Sequence, residues 1–378
     1  MNFALLLEWI IKSLFMIVVL LTGFAYLTFY ERKALARIQV RVGPNRAGPG
    51  GWLQPVADGV KLIFKEELIP AKANKLMFIL APVVTLVPAW IILAVVPWGD
   101  KITLFGREIV LSVTNINIGV LYITAIASIS IYGIVLAGWS SNNKYAMLGG
   151  IRSSAQMISY EIALGLAFIG PILLAGSMDV AEIVLKQKEM GWFVLFQPVG
   201  AVVFWIATLA EVNRAPFDMP EAEQELAAGY HSEYSGMKFA LFFMAEYEKM
   251  IVISMIAATL FFGGYREFWF LKDTFLSVDR NWWLGPFYLL GKVVVLLFFM
   301  IWIRATWPRI RYDRLMTLGW KVLLPLSVVV VVLTAFGVLL ADQLGSIYLW
   351  SIPALSIVAF MITVLFVNSA LRRKVAHA

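Results

Sequence analysis

The residues best suited to chemistry fall in one hydrophilic stretch, Glu211-Val-Asn-Arg-Ala-Pro-Phe-Asp-Met-Pro-Glu-Ala-Glu-Gln-Glu-Leu226, continuing to Gly229-Tyr-His-Ser-Glu233. It carries six carboxylates, Glu211, Asp218, Glu221, Glu223, Glu225 and Glu233, against one cation, Arg214. Apolar runs long enough to cross a bilayer flank it on both sides. Crowded carboxylates beside a low-dielectric phase repel one another and hold protons more tightly than isolated ones. Such a cluster can take up and release protons near neutral pH. A plain solvated acidic loop is the simpler alternative, and the apolar flanks argue against it. Further acids lie within apolar runs. Glu161, in Ile158-Ser-Tyr-Glu161, falls about one turn inside a span, where an ionised carboxylate costs roughly 3 kcal/mol or more unless it is paired or wet. In Phe243-Met-Ala-Glu-Tyr-Glu-Lys249, Glu246 and Lys249 are three apart and share a helix face, so they can pair, while Glu248 points elsewhere.

These groups need a membrane scaffold, and composition supplies one. The chain is 61% hydrophobic and 15% charged, with mean hydropathy +0.82, whereas a soluble domain is nearer half apolar and a quarter charged. The apolar runs are too long for barrel strands, and backbone groups in lipid must be satisfied internally, so they are helices. The expected fold is an all-α polytopic membrane protein forming a single membrane domain, 1–378. Nine runs reach spanning length, at about 4–30, 76–97, 116–139, 156–176, 192–211, 237–263, 284–307, 320–341 and 348–371. The loops 31–75, 140–155, 212–236 and 308–319 and the tail hold 18 Lys and Arg, against 7 in the alternate loops. That asymmetry predicts an external N-terminus, a cytoplasmic C-terminus and a cytoplasmic acidic stretch. Met1–Trp9 has no basic region ahead of its apolar run, so the first run reads as a retained span.

The net charge of +7 is no nucleic-acid signal, because the cations sit at the ends of apolar runs. There are no cysteines and only two histidines, His231 and His377. An iron–sulfur cluster and a thiolate zinc site are thereby excluded within this chain, and the placing of His377 next to the C-terminus argues against bis-histidine haem. If the protein serves redox chemistry, the electrons travel in a partner.

The first cytoplasmic loop is the second informative region. Glu31 to Val42 is basic and extends the first helix, then Gly43-Pro44-Asn45 and Gly48-Pro49-Gly50-Gly51 force turns. Trp52 to Leu68 has Trp52, Leu53, Val56, Val60, Ile63, Phe64 and Leu68 at helical spacing, with Asp58, Lys61 and Lys65 on another face. That predicts an amphipathic interfacial helix of about five turns over 52–68. Lys292 sits near the outer end of its span, where snorkelling accounts for it. Arg304, Arg309, Arg311 and Arg314 read as topology anchors. Residues 98–115 alternate as a short hairpin would, and no internal repeat is visible, against a symmetric transporter.

Several motifs together resemble the H subunit of NADH–quinone oxidoreductase, the membrane subunit of respiratory complex I also called subunit 1. They are Tyr30-Glu-Arg-Lys33, Arg41-Val-Gly-Pro-Asn-Arg46, Gln54-Pro-Val-Ala-Asp-Gly-Val-Lys-Leu62, Ile158-Ser-Tyr-Glu161, Ala210-Glu-Val-Asn-Arg-Ala-Pro-Phe-Asp218, Glu221-Ala-Glu-Gln-Glu-Leu226 and Phe242-Phe-Met-Ala-Glu-Tyr247. The likeness runs from about residue 20 to 320. The ninth apolar run exceeds the eight spans common in that family. The resemblance implies a multi-pass subunit of a bacterial cytoplasmic membrane that carries no redox centre of its own. It implies quinone as substrate, with electrons delivered by a partner's iron–sulfur cluster, and no metal or cofactor bound by this chain. Its partners would be peripheral-arm quinone-site and iron–sulfur subunits, small membrane subunits and antiporter-like subunits. By motif, Glu161, Glu211 and Glu246 become a proton axis, and Asp218, Glu221, Glu223, Glu225 and Glu233 an acidic coupling loop. Arg32, Arg41, Asp58, Lys61 and Glu66 match charged positions near the quinone passage and peripheral-arm contacts, with Tyr145, Arg152 and Arg214 as further polar lining. Two other classes stay open on the residues alone: a free-standing ion or solute transporter, and the membrane subunit of an energy-converting hydrogenase. The intact Arg41-Val-Gly-Pro-Asn45 loop and full acidic stretch favour the quinone-linked enzyme.

Overall fold

The computed structural model describes residues 3–104, 107–219, 229–268, 271 and 274–376. It is an all-α membrane protein. Its first helix, α1 (Phe3–Ile38), runs past the apolar stretch into the basic segment, as expected. Then come α2 (Gln54–Ile63), α3 (Lys75–Leu93), the antiparallel hairpin β1 (Lys101–Leu104) and β2 (Arg107–Val110), and α4 (Gly119–Ser140). Next are α5 (Lys144–Ala175), α6 (Val180–Met190), the single turn α7 (Phe193–Phe196), α8 (Pro198–Glu211) and α9 (Gly236–Phe261). Last come α10 (Leu284–Thr306), α11 (Tyr312–Leu318), α12 (Leu324–Leu344) and α13 (Ser351–Ala376). Among the described residues, seven helical stretches are long and apolar enough to cross a membrane. The other two expected runs are helical as well. One, α8, is short because Pro198 starts it after a break, and α9 carries Lys238, Glu246, Glu248 and Lys249 within its length.

Helix α5 occupies the middle of the bundle, packed by α4, α8 and α12. It begins earlier than the sequence suggested. Residues 144–155 read as a polar loop, yet they form its first turns, capped by the Asn143 side chain accepting from the Tyr145 amide at 2.9 Å. A small-residue face explains the difference. Ala146, Gly149, Gly150 and Ser153 are buried, and the backbone at Ala146 comes so near Gly138 of α4 that a Cβ there would lie 2.7 Å from the Ala146 carbonyl. Glu161 therefore lies near the middle of α5, not one turn inside it. The same device joins α3 to α4, where a Cβ on Gly133 would meet Thr85 Oγ1 at 2.1 Å.

The amphipathic helix is shorter than expected, ten residues over Gln54–Ile63. Its start is set by the loop before it, where Gly51 (φ 87°) lies so close to the Pro44 carbonyl that a Cβ would be 2.2 Å away. Beyond Phe64 the chain leaves the helix on its way to Pro70, whose ring disfavours helical geometry just before it. Val56, Val60 and Ile63 stay exposed, as an interfacial face requires.

Lys292 does not snorkel. It is buried, and its Nζ donates to the carbonyls of Phe262, Gly264 and Arg266 at 2.7, 2.8 and 2.6 Å. The chain just past α9 exposes carbonyls with no helical partner, and an ammonium has three donors to give them. On the same face, Arg266 bonds Asp100 and Asp279 at 2.7 Å each, and Lys188 pairs with Asp279 at 2.7 Å, so three connecting segments are held together. Partial burial pushes the Asp279 carboxyl upward, but hydrogen bonds from Lys188 and Arg266 outweigh it and hold the group below its ordinary value.

Two outcomes follow from this packing. Gly133→Leu must force α3 from α4 and should cost about 1–3 kcal/mol by overpacking, read as a lower denaturation midpoint in detergent. Asp279 titrates lower in the folded chain than in the unfolded one, so its contribution is present above the unfolded value of about 3.9 and lost as pH falls through the folded value. Thermal melts below pH 4 should therefore show a smaller acid-induced loss in Asp279→Asn than in the unsubstituted chain.

Candidate functional site

Three features lie side by side along α9: a cavity with polar lining, a cluster of buried charges and an apolar groove with a charged edge. The deepest is a narrow cavity enclosed by α3, α4, α5, α8 and α9. Glu161, Glu211, Lys249, Ser130 and Thr208 supply its polar lining, and Phe168, Phe204 and Ile256 close it with apolar surface. About 40 Å³ is open to water centres, room for roughly three waters by the volume one water needs. Ser128 donates to Glu161, and Lys249 Nζ donates to Ser130 Oγ at 2.8 Å. Glu211 Oε2 is buried with no hydrogen-bond partner. Glu211 is the last residue of α8.

Glu211 owes its position to Gln156. This buried amide donates to Ala210 O and Phe217 O at 2.8 Å each and to Asn213 Oδ1 at 3.2 Å. It thus clamps the turn that follows α8, in which Asn213 has φ +54°. Nothing in its type marked Gln156 beforehand. A lone Gln at the edge of an apolar run is ambiguous until the turn it serves is folded against it.

The second feature is a cluster of buried charges. Glu31 of α1 pairs with Arg304 of α10 and lies 3.7 Å from Arg214. Both Glu31 and Arg214 are 3% exposed. The Arg214 guanidinium sits 4.1 Å from the centre of the Tyr247 ring, a contact strengthened by desolvation. Arg309 pairs with Asp218 at 3.2 Å. Arg304 and Arg309, expected as topology anchors, thus also carry specific partners. Arg214 keeps its charge when buried, as guanidinium does.

The third feature is a largely apolar groove of about 320 Å³ between α1, α2 and α9. Phe24, Thr28, Leu62, Phe239, Phe243 and Met244 form much of its wall. At its polar edge Arg32 and Asp58 pair at 2.6 Å, with Lys61 at 3.8 Å and Gln54 bonded to Asp58 at 3.2 Å. The groove abuts the buried charges, because Phe24 and Phe243 both pack on the Tyr247 ring, with centroids 6.0 and 4.7 Å away.

Of the expected site residues, the structure brings Glu161 and Glu211 into one cavity, and Arg32, Asp58 and Lys61 to one groove edge. Glu246 lies on α9 below Lys249 and accepts from Tyr230 OH at 3.3 Å. Asp218 is buried against Arg309, while Glu233 accepts from Asn143 Nδ2 at 2.7 Å, away from the cavity. Arg41 bonds Gln39 at 2.7 Å on the surface. Glu66 and Tyr145 are exposed, and Arg152 lies 5.5 Å from the Tyr312 ring, outside both cavity and groove. Glu221, Glu223 and Glu225 lie outside the described residues. Sequence reasoning passed over Glu31, Ser128 and Ser130, and it left Glu248 without a role. Glu248 is fully buried and accepts from Trp90 Nε1 at 2.6 Å. The signal was an extra acid in an apolar run, which helical periodicity turned away from Glu246 but could not partner.

Removing the clamp should be costly. Gln156→Leu leaves buried carbonyls unpaired, and the expected loss is at least about 2 kcal/mol, measured as a lower unfolding midpoint of the detergent-solubilised protein.

Comparison with known proteins adds to this geometry. The NADH dehydrogenase family model matches residues 11–335. The second of two NADH-quinone oxidoreductase H subunits of Geobacter metallireducens is 49% identical over 336 residues, covering 86% of this chain and 94% of that protein. The NADH-quinone oxidoreductase H subunit of Thermomicrobium roseum is 48% identical over 346 residues, covering 89% and 95%. NADH-quinone oxidoreductase subunit 8 of Thermus thermophilus is 45% identical over 363 residues, covering 96% and 95%.

Proposed function

The chain belongs to the NADH dehydrogenase family of NADH-quinone oxidoreductase H subunits, and from that premise we propose that it admits quinone to a multi-subunit NADH-quinone oxidoreductase and couples quinone reduction to proton movement. It works in a bacterial cytoplasmic membrane beside peripheral-arm, small membrane and antiporter-like subunits. The observation that carries this reading is that the groove wall packs on the ring that carries Arg214, three residues after Glu211 of the cavity. An apolar quinone enters from lipid between α1, α2 and α9, past the Arg32–Asp58 pair. Its wall residues Phe24 and Phe243 lead to Tyr247, on which Arg214 rests. Electrons come from a partner's iron–sulfur cluster, since the chain has no cysteine.

This chain's own contribution is electrostatic. Reduction of quinone creates a charge or proton deficit next to Arg214, Glu31 and the acidic stretch. Asp218 joins that stretch to the turn clamped by Gln156, and Glu211 stands at the other end of the same turn. Glu211 shares its cavity with Glu161 and Lys249, and Glu246 lies one turn before Lys249 on α9, so a change of charge at Glu211 acts on all three at short range. Each unit of altered proton affinity is worth about 1.4 kcal/mol, so shifts of a few units carry energy on the scale of pumping. The acidic residues Glu221, Glu223, Glu225 and Glu233 supply protons from the cytoplasmic side.

The test is Glu211→Gln in the assembled complex. Donor-to-quinone activity or its coupling to proton movement should fall at least tenfold while the subunit composition stays intact. Normal coupled turnover in that variant would overturn the assignment. Met244→Trp, which narrows the groove without touching the acids, should raise the KM for quinone several-fold in the same assay and leave the coupling ratio alone.

A further inference from the structure

We propose that Lys249 is a movable cation of the membrane-depth cavity, resting on Ser130 when Glu211 is protonated and swinging to Glu211 when that proton leaves. The inference rests on the coupling role proposed above. It is carried by where the lysine sits and what it touches. Lys249 lines the same cavity as Glu161 and Glu211. Among the described residues its hydrogen-bond partner is a neutral hydroxyl, Ser130 Oγ at 2.8 Å. Ser130 Oγ already donates to the Ala127 carbonyl at 2.8 Å, so it offers Lys249 a lone pair and no countercharge. Meanwhile Glu211 Oε2 is buried without a hydrogen-bond partner. Donor and acceptor of opposite charge thus line one small cavity, with the donor placed on a dipole.

A lysine that serves only packing has its donors filled, as Lys292 has by three carbonyls, whereas one hydroxyl recovers little of the hydration that the Lys249 ammonium has lost. A flexible four-carbon stem ending in a compact charge suits motion instead. The acids facing Lys249 come from three elements: Glu211 at the end of α8, Glu161 on α5, and Glu246 one turn earlier on α9 itself. When the Glu211 carboxyl O–H bond breaks, the proton crosses the cavity to the Glu161 carboxylate, where a new O–H bond forms, and Nζ moves onto the Glu211 carboxylate left behind. Ser128 holds Glu161 for that transfer. Glu161 then gives its proton to water in the cavity, which restores its carboxylate, and Nζ returns to Ser130 when Glu211 takes its next proton from the acidic side. The lysine stays an ammonium throughout, so the count of protons moved is unchanged by it.

The experiment uses the complete complex in sealed vesicles, with donor-to-quinone rate and proton movement recorded together. In Lys249→Gln the protons moved per quinone should fall at least fivefold, and Lys249→Arg should recover more than half of that loss. A wild-type ratio in Lys249→Gln, or no recovery in Lys249→Arg, would overturn the proposal. If Lys249→Gln does not assemble, Ser130→Ala decides: the resting partner is gone, the ratio should drop at least twofold, and an unchanged ratio overturns it. Glu211→Gln run in parallel separates the two readings. Normal pumping there removes the coupling role itself, whereas lost pumping there beside normal pumping in Lys249→Gln removes only the movable lysine.

Discussion

A charge carried into the hydrocarbon loses its hydration, at a cost of several kcal/mol per ion that only a partner on the same or another segment can offset. Much of this bundle answers to that constraint. Glu31 on α1 is matched by Arg304 on α10 and by Arg214 after α8. Lys292 on α10 is matched by carbonyls just past α9. Glu248 on α9 takes an indole N–H from Trp90 on α3. These contacts join helices whose remaining surfaces are apolar and so give lipid and protein neighbours little to tell apart. The charges supply the register, and the small residues at Gly133, Gly138 and Gly150 let the helices come close enough for it.

The same constraint turns one region into a site. Where matching is complete, as at Lys292, the polar groups are fixed. Where it is incomplete, as at Glu211 and Lys249, a group has somewhere to move or a proton to exchange. Those two groups line the cavity between α5, α8 and α9, one turn of chain from the buried Arg214, while Glu31, Arg214 and Glu248 keep buried polar atoms without a hydrogen-bond partner among the described residues outside it. An apolar groove opening beside α2 ends against the ring that carries Arg214. Substrate access and proton chemistry are therefore neighbours in the fold although their residues are scattered from position 24 to position 256.

Much of this was legible beforehand. The hydropathy runs marked the helices, the alternation within residues 98–115 marked the hairpin, and the quoted motifs marked the family. Errors arose where local polarity and tertiary burial disagreed. Residues 144–155 look like a loop because Lys, Ser and Gly punctuate them, yet Gly and Ser are what a tight contact with α4 requires. Lys292 looks like a snorkelling residue because its position in the chain is near a span end, yet the turn past α9 folds over it. The amphipathic helix reads as five turns because its apolar spacing continues to Leu68, but hydrophobic periodicity does not record that the backbone leaves the helix after Ile63.

The sequence by itself determined the medium, the secondary structure, the family and the chemical type of the site, because bulk hydropathy and clustered carboxylates act through composition and short spacing. Only the tertiary structure decided which acids share a cavity, that Gln156 holds Glu211, that Glu31 is the countercharge to Arg214 and Arg304, and that Lys249 rests on Ser130. Those pairings join residues from about 50 to 270 positions apart, and their energy comes from geometry across helix interfaces in a low dielectric, which no local pattern encodes.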